Sequence, residues 1–66
     1  MNLRVNGKEV DLPSGLSLLD YLAGLAVDAG AVAVELNGDI LARESYADRT
    51  LKEGDRLEIV RMVGGG

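Results

Sequence analysis

The residue types that carry most protein chemistry are scarce in this 66-residue chain. It has no histidine, so the commonest general base and the commonest metal ligand are both missing. It has no cysteine, which removes thiolate nucleophiles, disulfides and cysteine-based zinc sites. Ser14, Ser17 and Ser45 have no imidazole to activate them. Lys8 beside Glu9, and Lys52 beside Glu53, read as solvated charge. What remains is the ending Val63-Gly64-Gly65-Gly66, which presents one reactive group, the α-carboxylate of Gly66. Glycine carries no Cβ, so a tail of this kind can thread a narrow channel, and its glycines reach about 10 Å when extended. A free carboxylate is a poor electrophile with no competent leaving group. The expectation is that partner enzymes modify this carboxylate, although termini are commonly frayed and the tail alone does not establish such a role.

The other residues have to form a body that holds this tail out. Met1, Leu3 and Val5 alternate with Asn2, Arg4 and Asn6, the period of a strand with one buried face. Asn6-Gly7 suits a two-residue hairpin turn, and Val10 and Leu12 continue in a second, antiparallel strand. Ser17 fits a helix N-cap, with Asp20 near the positive end of the helix dipole. Leu18, Leu19, Leu22, Leu25 and Ala26 form an apolar stripe at helical spacing, which predicts a helix over 17–28 with Gly30 as its stop. Val32, Val34 and Leu36 predict a third strand, Asn37-Gly38 a second turn, and Ile40-Leu41 a short fourth strand. Residues 43–50 read as a polar loop with Tyr46 as its anchor. Lys52-Glu53-Gly54-Asp55 is a tight turn into the last strand.

One helix packed across one face of a mixed sheet buries all these stripes together. With the first and last strands side by side in the centre, this order predicts a single α+β domain of the β-grasp, ubiquitin-like type. Four to five strands are expected. In the last strand Leu57 and Ile59 point under the helix, whereas Val60 and Met62 point to the face where only polar residues are needed. Val60, Met62 and Val63 are therefore the expected partner contacts, with Arg61 and Arg43 as weaker candidates for charge steering. Scattered exposed apolar side chains are common, so the face alone does not establish docking.

The formal charge of −4 repels phosphate backbones and favours a basic protein surface as partner. No apolar run approaches the ~18–20 residues that span a bilayer, and the opening residues lack the pattern of a signal peptide. A cytoplasmic protein, monomeric when free, is expected, with neither nucleic acid nor membrane as partner.

Several segments resemble the ThiS family of ubiquitin-like sulfur carriers. They are Val5-Asn6-Gly7, Val34-Glu35-Leu36-Asn37-Gly38-Asp39-Ile40, Arg43-Glu44 with Tyr46, the run from Leu51 through Gly54-Asp55 to Ile59, and Val63-Gly64-Gly65-Gly66. The resemblance implies a cycle of thiamin biosynthesis. A ThiF-like adenylyltransferase, similar to ubiquitin-activating enzymes, would use ATP to adenylate Gly66. Sulfur from a cysteine-desulfurase-derived persulfide would convert it to a thiocarboxylate. A ThiG-like thiazole synthase would receive that sulfur. The chain itself would bind no cofactor and no metal. The family's minimal ending is a glycine pair, and three glycines stand here, so Gly65 is the acceptor if the native chain stops there. A molybdopterin synthase small subunit shares the fold and the glycine ending, but it is typically longer and carries more aromatic and proline residues in its later half. This chain has no Phe, and its single proline is Pro13. A β-grasp binding module with an inert tail is the alternative of a different class; loss of the last two glycines would leave such a module functional.

Overall fold

The structure, a computed structural model, describes residues 1–62. The expected contact Val63 and the tail glycines Gly64, Gly65 and Gly66 lie outside the described residues. Strands β1 (Asn2–Val5) and β2 (Lys8–Asp11) form an antiparallel hairpin with Leu3 opposite Val10. Asn6 and Gly7 link them with φ of 51° and 81°, the positive pair that a tight hairpin turn requires. Helix α1 (Leu18–Gly24) follows, and then β3 (Val32–Leu36) and β4 (Asp39–Ile40), joined by Asn37 and Gly38 with φ of 52° and 91°. Strand β5 (Arg56–Arg61) closes the described chain.

The sheet order is β2-β1-β5-β3-β4, with β5 in the centre, parallel to β1 and antiparallel to β3. The helix covers one face. This is the β-grasp fold expected from the element order, with five strands. Leu18 and Leu22 of α1 are fully buried against Leu3, Val34 and Leu57 of the sheet. Each such side chain contributes roughly 1.5–3 kcal/mol relative to exposure. Tyr21 packs against this core, and its burial pushes the phenol above its ordinary pKa of 10.0.

The helix is shorter than the 17–28 that the apolar spacing predicts. Its start is as expected: the Ser17 hydroxyl accepts the Asp20 N–H at 3.0 Å. Its end comes early, because Ala26 turns left-handed at φ 58°. The Val27 N–H then reaches the Leu22 carbonyl and the Ala26 N–H the Ala23 carbonyl, the two bonds of a Schellman termination. Gly30 is therefore not the stop. It sits in a 3-10 turn (Ala29–Ala31) capped by Asp28, with the Arg43 guanidinium against it. Leu25 leaves the expected stripe and is 45 % exposed, and Leu19 is exposed as well.

Residues 43–50 are polar in sequence but structural in effect. After a 3-10 turn (Arg43–Ser45), Tyr46 is buried and its carbonyl accepts the Leu19 N–H. The Arg49 carbonyl accepts the Leu18 N–H at 2.8 Å, and the buried Leu51 donates its N–H to Leu16. The loop thus clamps the first turn of α1.

Candidate functional site

The site is the end of β5 and the faces around it, because the glycine tail continues from there. Two neighbours hold this end. On one side, β3 pairs with it as far as Met62, whose N–H donates to the Ala31 carbonyl at 2.9 Å. On the other, β1 has already turned away, and the Asn6 side chain takes its place. Asn6 Oδ1 accepts the Ile59 N–H at 2.7 Å, and Asn6 Nδ2 donates to the Ile59 carbonyl at 3.2 Å. One side-chain amide therefore extends the β1–β5 ladder by one peptide, which ties the hairpin turn to the root of the tail.

The face opposite the helix follows from the strand period of two. Leu57 is buried and Ile59 half-buried on the core side, so Arg56, Glu58, Val60 and Met62 project outward. Val60 is 58 % and Met62 51 % exposed, as the alternation predicts. Val60 lies opposite Ala33, giving a small apolar patch beside the chain's exit. Arg61 is exposed on the other face. Arg43 is exposed too, but it lies against Gly30, so the structure does not bring it onto the patch.

Two features of this face escaped the sequence reading. Ile40 is 80 % exposed and lies opposite Glu35, on the same side as Val60. The two-residue turn at Asn37-Gly38 fixes that register, so the signal was present in the turn chemistry. Glu35 also stands directly opposite Glu58. Like charges across a ladder disfavour the fold, and here they set negative charge between Ile40 and Val60. A partner covering the patch with basic and apolar groups would relieve this repulsion.

The ThiS family profile matches residues 3–66, nearly the whole chain. The chain belongs to the ThiS family. Among relatives in the same family range, the sulfur carrier protein ThiS of Bacillus subtilis is 37 % identical over 65 residues, covering 97 % of this chain and 98 % of that protein. A thiazole synthase of Paramagnetospirillum magneticum is 41 % identical over all of this chain, which spans only 20 % of that protein's length. The crystal structure of a thiamine biosynthesis protein (ThiS) from Geobacter metallireducens superposes with a TM-score of 0.86 at 42 % identity, covering both chains completely. The β-grasp body and the family assignment thus agree, and the family match extends through the glycine ending that follows β5.

Proposed function

We propose that this chain is a sulfur carrier of thiamin biosynthesis, loaded and unloaded at the Gly66 carboxylate by other proteins. The observation that carries the reading is the family match through residue 66, together with near full-length similarity to a carrier of the same size. In this reading a carboxylate oxygen attacks the α-phosphate of ATP on a ThiF-like adenylyltransferase, and pyrophosphate leaves. The acyl-adenylate now has a competent leaving group. A persulfide formed from cysteine attacks the acyl carbon, and AMP departs. A thiol reduces the resulting acyl disulfide, leaving a thiocarboxylate on Gly66 and a disulfide on the donor. The thiocarboxylate is ionised near neutral pH and nucleophilic, and it passes its sulfur to a ThiG-like thiazole synthase.

The chain is then a co-substrate and not an enzyme. Gly64 and Gly65 form the slender lead into the partner's active site, while Val60, Met62 and Val63 meet its surface. The similarity of a region of a thiazole synthase to this chain supports such an enzyme as the receiving partner. No helix among the described residues is long and apolar enough to cross a membrane. The reading carries with it a cytoplasmic location, where the partners would find ATP.

Intact-mass spectrometry tests this. The chain is incubated with the adenylyltransferase, ATP and a sulfur source. The expected product gains one oxygen-to-sulfur exchange, located on the C-terminal peptide. No gain, or a gain elsewhere, overturns the reading.

A further inference from the structure

The side of β5 that faces β1 is left open at Arg61. The ladder to β3 uses the backbone groups of alternate residues: the Arg56 carbonyl accepts from Asn37, and the Met62 N–H donates to Ala31. Leu57, Ile59 and Arg61 therefore direct their backbone groups the other way. The Leu57 carbonyl accepts the Asn6 N–H, and Ile59 is satisfied at both groups by the Asn6 amide. Beyond it, among the described residues, the Arg61 N–H and carbonyl meet no partner. Beside this open edge lies a groove of about 220 Å³, on the core side of the sheet. It is lined by Val5, Val32 and Ile59 of the sheet, by Leu25 and Val27 after the helix, and by Asn6 and Arg61. The left-handed turn at Ala26 directs the chain so that Val27 packs beside Leu25, the C-cap of α1, at this groove.

We infer that this groove takes an extended segment of the enzyme that loads the tail, paired as an added strand to Arg61. The inference rests on the proposed function. Four residues separate Met62 from the Gly66 carboxylate, and they span at most about 14 Å when extended. An enzyme that encloses that carboxylate must press against the end of β5. There it meets a backbone donor and acceptor that have no partner among the described residues, beside a largely apolar slot. An added strand satisfies the first two, and its alternate side chains enter the slot. The segment fits best with an apolar residue inward and an acidic one near the Arg61 guanidinium.

Arg61→Pro removes the open-edge N–H without touching the ladder to β3, whereas Arg61→Ala removes only the side chain. Proline is tolerated where a strand's N–H faces outward. The adenylyltransferase is assayed with ATP by pyrophosphate release, with each chain as varied substrate. Arg61→Pro is expected to raise KM by about tenfold over Arg61→Ala, the equivalent of 1.4 kcal/mol. Melting temperature checks that the variant folds. If Arg61→Pro does not fold, Leu25→Asp decides, with the same tenfold rise in KM over the wild type expected. A KM equal to that of Arg61→Ala, or an unaltered KM for Leu25→Asp in that case, overturns the groove while wild-type loading leaves the carrier reading standing. A wild-type chain that releases no pyrophosphate overturns both.

Discussion

Ala26 shows how one residue can work against its own position. Its left-handed φ of 58° ends α1, yet alanine bears the steric cost that glycine there avoids. Ala26→Gly is expected to raise unfolding free energy by about 1 kcal/mol in urea, with the slope unchanged. Asn6 is the opposite case, since its backbone makes the turn and its side chain completes the sheet. Asn6→Ala removes both bonds to Ile59 at an exposed position where water can replace them, and should cost about 1 kcal/mol by the same measurement. Met62 contributes little to the core, being half-exposed on the outer face. Met62→Asp is expected to keep the melting temperature and to weaken adenylation severalfold. Unchanged adenylation kinetics in that variant would remove the apolar patch from the docking surface.

The central strand β5 joins stability to function, because its two faces answer to different demands. Its inward residues complete the core with α1, and its outward residues carry the patch. The Glu35–Glu58 opposition belongs to the second demand. Glu58→Gln should therefore stabilise the fold by roughly 0.2–1 kcal/mol, as removal of a like-charge pair does. It should also slow association with a basic partner, most at low salt. A stopped-flow salt series checks both the sign and the salt dependence.

For the molecule as a whole, the body and the tail are separable requirements. Among the described residues every buried side chain of the core falls from Leu3 to Leu57, and a glycine has no side chain to add to it. The truncated chain is expected to melt as the full chain does and to accept no sulfur. A binding module with an inert tail would keep its function after the same truncation.

Local rules made much of this legible without coordinates. Asparagine–glycine pairs fixed both hairpins, because few other residues tolerate paired positive φ. Strand alternation placed Val60 and Met62 outside, because side chains on a strand must alternate. The absent histidine and cysteine left the terminal carboxylate as the group to watch. Other features depended on contacts between residues far apart in the chain. The end of α1 is set by where Val27 packs against the core, which helical spacing cannot register. Tyr46 anchors its polar loop as the sequence predicts, but the backbone bonds that fix this loop on the first turn of α1, from Leu18 to Arg49, Leu19 to Tyr46 and Leu51 to Leu16, join segments far apart in the chain. The open edge at Arg61 exists because β1 pairs with β5 only as far as Leu57 and the Asn6 side chain reaches only Ile59, while β5 runs on to Arg61, a matter of strand register that no single segment contains.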